Sequence, residues 1–194
     1  MALRRVLRSD AFYSVIEPYR AIWCIALPPD QRRDDSGSTS ASTRVEASGA
    51  EDAPCAKCWG VSASNAYHNL ASARGVAMVR TPGEVPASAL ARMVFGSEKS
   101  GVPLGGLLLA PTTEGAVTAA DAERVAELLT KTDARFANVP FGFWDGRSDV
   151  DSWRSPEDAK HPEEDARAPA AARVARGRLQ AFLESTQGAL NTFG

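Results

Sequence analysis

The sequence predicts an α/β fold from two clear elements and from the glycine and proline residues that separate the others. Residues 21–27 form a short apolar run rich in strand-forming residues, and Pro28 and Pro29 close it. Residues 118–129 begin with a threonine suited to cap a helix and then repeat apolar residues at helical spacing. Because glycine and proline separate the remaining apolar runs, we expect strands and helices to alternate within one domain.

The composition of the chain fits one domain and argues against nucleic-acid binding. Its 194 residues are 44% hydrophobic, which suffices for a single core with extensions. Lys and Arg total 22 against 24 Asp and Glu, so the formal net charge is -2 and no basic field would attract nucleic acid. No apolar run approaches the roughly 20 residues that cross a bilayer, so we expect no direct membrane span.

Residues 1–19 are predicted to form a basic N-terminal arm. Arg4, Arg5 and Arg8 precede the first acidic residue, Asp10. This composition is typical of an organelle import signal, so the arm is predicted to be an uncleaved mitochondrial targeting segment, with a plain basic tail as the alternative. The three cysteines are too few for the disulfide framework of a secreted protein.

The segments after the first strand are predicted to be an insertion, a helix and a strand. Residues 30–53 are rich in Ser, Thr, Gly and Ala and are predicted to be flexible. Ser62 is predicted to cap a helix that ends at Arg74 and Gly75. Residues 76–80 then read as a strand.

Residues 81–109 are predicted to hold a β-hairpin. Residues 90–95 read as one strand, with a helix as the alternative because the segment is rich in alanine. Residues 96–99 would reverse the chain into a second strand at 101–109. The resulting order is strand, helix, strand, then hairpin and helix, which is the order of a thioredoxin-like fold over residues 20–131.

Residues 132–194 are predicted to be an extension made of an aromatic strap and a docking helix. Aromatic residues clustered in irregular sequence can dock only by burying their rings on another surface. A helix with one apolar face is predicted to begin at Pro169. Clustered aromatic residues with nearby arginine are typical of interface hot spots. The candidate interface residues are Arg92, Trp144, Trp153, Leu179 and Phe182.

A pattern in residues 84–104 resembles a known family. Pro86 is followed by Ala-Arg-Met-Val-Phe-Gly-Ser-Glu at 91–98 and by Val-Pro-Leu at 102–104. This pattern resembles the small thioredoxin-fold accessory subunit of mitochondrial NADH:ubiquinone oxidoreductase, respiratory complex I, whose central strand ends in arginine, as residues 76–80 do. The resemblance covers residues 20–131, and Thr81, Met93 and Gly101 depart from it.

The resemblance implies a structural role in the respiratory chain. The chain would be a non-catalytic accessory subunit in the matrix arm of complex I, on the matrix side of the mitochondrial inner membrane. It would hold no cofactor, and its partners would be other complex I subunits, so that it would not be a free monomer. A mitochondrial ribosomal protein of the same fold family is an alternative, but such proteins usually lack the Val-Pro-Leu ending, and the charge balance disfavours RNA.

Cys55 and Cys58 form the one local pattern with a chemical mechanism. A Cys-x-x-Cys before the first helix of a thioredoxin fold can be redox-active because the helix dipole lowers a thiol pKa, and Pro86 would face the pair. A thiol-disulfide oxidoreductase is therefore a further alternative, and a static disulfide or two thiols also stay open. A zinc site would need Cys24 and His68 as well, but a cysteine inside an apolar strand is ordinarily a small hydrophobe.

Arg92 is predicted to make a charge-paired contact, either within the chain or to a neighbouring subunit. A guanidinium on a short strand must reach solvent or find a carboxylate, and this holds for Arg80 too. Glu84 and Glu98 are the nearest acids in the sequence. An outward position on an alternating strand is the alternative.

Overall fold

The chain folds into a mixed six-stranded sheet with helices on both faces. The computed structural model describes residues 6–29, 57–81, 83–96, 102–113, 115–146 and 168–191. Within these residues the elements are β1 (Leu7–Arg8), α1 (Ser9–Ser14), β2 (Ala21–Leu27), β3 (Cys58–Ser64), β4 (Ala71–Met78), α2 (Ala87–Gly96), β5 (Leu104–Pro111), α3 (Ala119–Thr132), a 3₁₀ helix (Ala134–Asn138), β6 (Phe141–Phe143) and α4 (Ala170–Asn191). The α/β class predicted from the sequence is confirmed.

The strand order in the sheet is β1-β6-β5-β2-β3-β4. Strands β2, β3 and β4 form an antiparallel meander. Strand β5 returns through α2 to pair in parallel with β2, and β6 returns through α3 to pair in parallel with β5. Each parallel pairing needs a crossover, and the two helices supply it. The carboxyl ends of β2, β5 and β6 therefore meet at one end of the sheet.

Three predicted elements are confirmed, and each has a clear physical basis. All seven residues of β2 are buried, as expected for a continuous apolar run at the centre of a sheet. Thr118 caps α3 through a capping box in which its side chain accepts from the amide of Asp121 and the Asp121 carboxylate accepts from the amide of Thr118. Helix α4 begins after Pro169, whose carbonyl accepts from the amides of Ala172 and Arg173.

The predicted helix from Ser62 to Gly75 is wrong, because these residues form the antiparallel strands β3 and β4. Trp59, Val61 and Ala63 alternate along β3 and enter one core, which is the period of a strand. The residues between them are small, so α4 can approach the other face of the strand. At Gly60 an added Cβ would lie 1.7 Å from the carbonyl oxygen of Ala171.

The predicted strand at 90–95 and the hairpin after it are also wrong. Residues 87–96 form α2, whose buried positions follow a helical stripe. Pro86 occupies the first turn, where its carbonyl accepts from the amides of Ala89 and Leu90, and where proline is favoured. Strand β5 pairs with β2 instead of with residues 90–95. The thioredoxin-like element order is therefore not observed.

Residues 76–78 of the predicted strand at 76–80 belong to β4, which is the outer strand at one edge of the sheet. Val61 pairs with Gly75 and Ser62 with Ala73, so Arg74 is an extra residue in a β-bulge. Gly75 has φ of 141°, which glycine adopts without strain. The bulge interrupts the regular edge, and such interruptions are a way to limit edge-to-edge pairing.

The segments predicted as N-terminal arm and aromatic strap contribute to the fold itself. Phe12 of α1 is fully buried, and β1 pairs with β6. Phe136 is fully buried with its ring 4.6 Å from that of Phe95, and Phe141 belongs to β6. The insertion predicted at 30–53 lies outside the described residues. No helix among the described residues is long and apolar enough to cross a membrane.

Candidate functional site

The end of the sheet where β2, β5 and β6 finish holds a small apolar cavity. Ligands of open α/β sheets commonly bind outside the carboxyl ends of the strands. Here the cavity measures about 50 Å³ and is lined chiefly by apolar groups, among them Leu27, Pro28 and Val125. Its one carboxylate, Asp121, takes part in the capping box of α3. Among the described residues, no group of His, Cys, Asp and Glu could hold a metal ion.

Cys58 begins strand β3 and is partly buried, and Cys55 lies outside the described residues. A strand therefore stands where a helix was predicted to follow the Cys-x-x-Cys pair. The peptide bond before Pro86 is trans. His68 follows the far end of β3, about 20 Å from Cys58 at the rise of a strand, so the two cannot share a zinc ion.

Cys24 is buried in the centre of β2. Burial raises the pKa of its thiol to about 12, although the nearby Arg178 and a hydrogen bond with Ser62 act in the opposite direction. A thiol with so high a pKa stays protonated at neutral pH and is a poor nucleophile or metal ligand. Cys24 acts as a small core residue, as the sequence indicated.

Two of the predicted interface residues belong to the core of the chain. Leu179 and Phe182 are fully buried where α4 packs on the sheet, so they cannot face a partner. Trp144 is half-buried, with its ring 6.2 Å from that of Phe182. Trp153 lies outside the described residues. The prediction that the apolar face of α4 docks on a partner is wrong, because that face packs on the sheet of its own chain.

A pair of exposed tyrosines lies at the start of the edge strand β4. Tyr19 precedes β2 and is 67% exposed, while Tyr67 lies in the turn between β3 and β4 and is 73% exposed. Their rings meet edge to face, with centroids 6.1 Å apart. Val15 and Leu70, in the same two loops, are 51% and 39% exposed. We call these four residues the tyrosine patch.

A buried histidine fixes the two loops that carry the tyrosine patch. Tyr19 and His68 both have left-handed backbones, with φ of 64° and 55°, which residues other than glycine rarely adopt. The Nε2 of His68 lies 2.5 Å from the carbonyl oxygen of Arg20, to which it donates, and its Nδ1 lies 3.3 Å from the hydroxyl of Tyr13. Strained backbones persist where their surroundings determine them, and such positions are frequent at functional sites.

Tyr19 and Tyr67 were not predicted as site residues, and Tyr67 was instead predicted to lie on the apolar face of the helix after Ser62. A signal was present, because each is a large aromatic residue in a polar turn, one after Pro18 and the other between Asn65 and Asn69. Aromatic residues at such positions cannot easily reach a core, and they are enriched at protein interfaces.

An open groove lies at the other end of β4, between the end of that strand and the first turns of α2. Its volume is about 430 Å³, and Arg80, Glu84 and Arg92 all line it. Met78 lies beside them and is 69% exposed. We call this the arginine groove. Arg92 therefore projects from a helix, and the predicted strand position is wrong, but the structure does bring it together with Arg80 and Glu84.

No protein-family model matches the chain, and no curated protein matches it.

Proposed function

We propose that this chain is a non-catalytic structural subunit that binds a neighbouring protein through the tyrosine patch, beside the turn between β3 and β4. The observation that carries this proposal is the tyrosine patch, in which two large aromatic side chains are held exposed against each other. Large exposed apolar groups that cluster are typical of protein interaction sites, and tyrosine is enriched there. The proposed partner is another protein subunit.

The geometry of the patch favours binding without rearrangement. Its two loops are joined by the contacts of His68 to Tyr13 and Arg20, so the rings are already positioned before a partner arrives. A surface ordered in advance loses less side-chain entropy on association. The buried thiol of Cys24 and the apolar cavity at the strand ends favour this role over a catalytic one.

The finer proposal is that the assembly is the matrix arm of mitochondrial complex I. Its support is the sequence pattern in residues 84–104 together with the basic start of the chain. The assignment depends on a thioredoxin-like hairpin that α2 replaces, so the fold counts against it. The missing hairpin also counts against a mitochondrial ribosomal protein of the same fold family. The near-neutral charge balance disfavours that alternative further, because it offers no basic face for RNA. A thiol oxidoreductase is disfavoured because β3 stands where the helix that would activate Cys55 was predicted.

The test is whether the full chain enters a large assembly through the tyrosine patch. We expect the tagged chain, expressed in its own cells, to migrate with a large complex in native gels and to be found in mitochondria. The double variant Tyr19→Ser/Tyr67→Ser should migrate mostly as free chain, because it removes both exposed rings and leaves the buried contacts of His68 in place. Mass spectrometry of the excised complex identifies the assembly.

A matched control distinguishes the patch from a general loss of apolar surface. Leu128 on α3 is 36% exposed and lies outside the patch, so Leu128→Ser should leave the migration unchanged. A wild-type chain that runs as a monomer would refute the structural-subunit proposal. A complex without NADH dehydrogenase subunits would refute only its assignment to complex I.

A further inference from the structure

We propose that the arginine groove binds an acidic segment of a partner protein, one with two closely spaced carboxylates beside an apolar residue. This inference rests on the proposed function as a docking subunit, since it names a second contact on the same edge of the molecule. The tyrosine patch lies where β4 begins and the groove lies where it ends, about 25 Å away at the rise of a strand.

The first support for this proposal is that the two cations of the groove pair with no carboxylate among the described residues. Arg80 and Arg92 line the same groove from different elements, and among the described residues neither has a carboxylate within ion-pair distance. A guanidinium binds a carboxylate with two parallel hydrogen bonds, which makes a pair of arginines well suited to two carboxylates. The groove is thus a basic site on a chain whose formal net charge is -2.

The surroundings of the arginines favour a peptide over a polyphosphate. Glu84 places a carboxylate in the groove, which would repel the closely spaced charges of a nucleic-acid backbone. A peptide can place its carboxylates on the arginines and turn away from Glu84. Met78 is largely exposed beside them, and its flexible thioether can pack against varied apolar side chains.

The groove lies at the end of an outer strand, where a peptide can bind in an extended conformation. The groove begins where β4 ends, and β4 is an outer strand of the sheet. The bulge at Arg74 interrupts that edge, so a partner strand would meet regular geometry only over the last residues of β4, next to Met78. An extended acidic segment would therefore be held at the groove and not along the whole strand.

The test is binding of short synthetic peptides to the full-length chain, followed by fluorescence anisotropy. The probes are capped, fluorescently labelled peptides in which two glutamates are separated by leucines in varying number. We expect binding that weakens as salt is added and that is lost when both glutamates are replaced by glutamine. The double variant Arg80→Gln/Arg92→Gln should weaken binding at least tenfold.

The control variants separate the groove from general electrostatics. Arg124 on α3 is exposed and lies outside the groove, so Arg124→Gln should leave peptide binding within twofold of the wild type. Equal losses in both variants would overturn the proposal. Glu84→Gln should strengthen peptide binding, because it removes the one negative charge in the groove. Circular dichroism of each variant confirms that a loss of binding is not a loss of fold.

Two further outcomes would overturn the proposal that the arginine groove binds an acidic peptide. An oligonucleotide or inorganic phosphate that binds through Arg80 and Arg92 while the peptides do not would overturn the proposal in favour of a phosphate ligand. Failure of all probes to bind the folded wild-type chain would overturn it outright. Peptide binding by a chain that joins no assembly in cells would support the groove and refute the proposed function, so the two failures are distinguishable.

Discussion

The two faces of the sheet are packed in different ways. The face covered by α2 and α3 is filled by large side chains, including Trp23, Trp59 and Leu129. The face covered by α1 and α4 also holds large side chains such as Leu108, but at glycines such as Gly60 the helices approach the backbone of the sheet closely. We therefore expect the first face to be most sensitive to lost atoms, and the glycine positions of the second face to added ones.

The contact between β3 and α4 shows how close that approach is. Ser62 donates its hydroxyl to the carbonyl of Ala175 at 2.9 Å, and the Cα of Gly60 lies against the carbonyl of Ala171. Side-chain hydroxyls and bare Cα atoms here replace the interdigitated side chains of the opposite face. The distance between helix and sheet is thereby set by backbone atoms, which cannot rotate out of the way.

The largest effect should come from adding atoms at Gly60. Gly60→Val would place a side chain within the backbone of Ala171, so we expect α4 to leave the sheet and stability to fall by more than about 4 kcal/mol. Urea unfolding followed by circular dichroism measures it. Gly177→Ala on α4 is the control, because an added Cβ meets nothing within 4 Å there, and it should be neutral or slightly stabilising. Equal stability of the two variants would show that α4 does not approach β3 closely at Gly60.

A smaller effect should come from removing the one large ring on the glycine-lined part of this face. The ring of Phe12 lies against Gly106 and Gly142, and an added Cβ at Gly142 would be 2.4 Å from its Cγ. Phe12→Ala should cost about 3–5 kcal/mol in urea unfolding, because it leaves a cavity in a fully buried site.

A double-mutant cycle on Phe12 and Gly142 tests whether these two residues share a direct contact. Gly142→Ala alone should be destabilising, because its methyl meets the ring of Phe12. In the Phe12→Ala background it should be neutral or stabilising, because the methyl enters the cavity left by that ring. Additive losses would show that Phe12 and Gly142 do not share this contact.

The smallest effect concerns the proton on Cys24, on the α4 face. Burial raises the pKa of this thiol from its usual value near 9 to about 12. Between these pH values the unfolded chain has lost the proton while the folded chain retains it, so stability should fall as pH rises from 9 towards 12 and should not depend on this group below pH 9.

The variant Cys24→Ala separates the titration of the Cys24 thiol from that of other groups. Cys24→Ala should be less stable at neutral pH, because it leaves a small cavity, but its stability should fall less steeply in alkali. Urea unfolding at a series of pH values measures both slopes. Equal slopes would show that the thiol is not sealed beneath α4.

The sequence predicted the elements that carry a strong pattern of their own and failed for those built from small residues. Helix α3 has a capping threonine and an apolar stripe, and β2 is a continuous apolar run. Residues 58–64 alternate Gly and Ser with Trp, Val and Ala, and small residues fit a helix cap as well as a strand face. For α2 the alanine-rich sequence was ambiguous, although Pro86 at its first turn was a signal for a helix.

The candidate sites could be predicted only in part. Arg80, Arg92 and Glu84 were grouped by their nearness in sequence, and the structure places them in one groove for the same reason. Tyr19 and Tyr67 are far apart in sequence and meet only because β2 pairs with β3 and the turn after β3 reaches back. Leu179 and Phe182 were wrongly predicted to face a partner, because hydrophobicity alone does not say whether an apolar helix face covers its own chain or another.

The sequence by itself determined that the chain is α/β, where its central strand and two of its helices lie, and that it carries little net charge. Only the tertiary structure decided that residues 58–64 are a strand, that 87–96 are a helix, and that β5 returns to pair with β2. The physical reason is that the intrinsic preference of a short segment for helix or strand is small, so the surface that the segment is buried against selects between the two states.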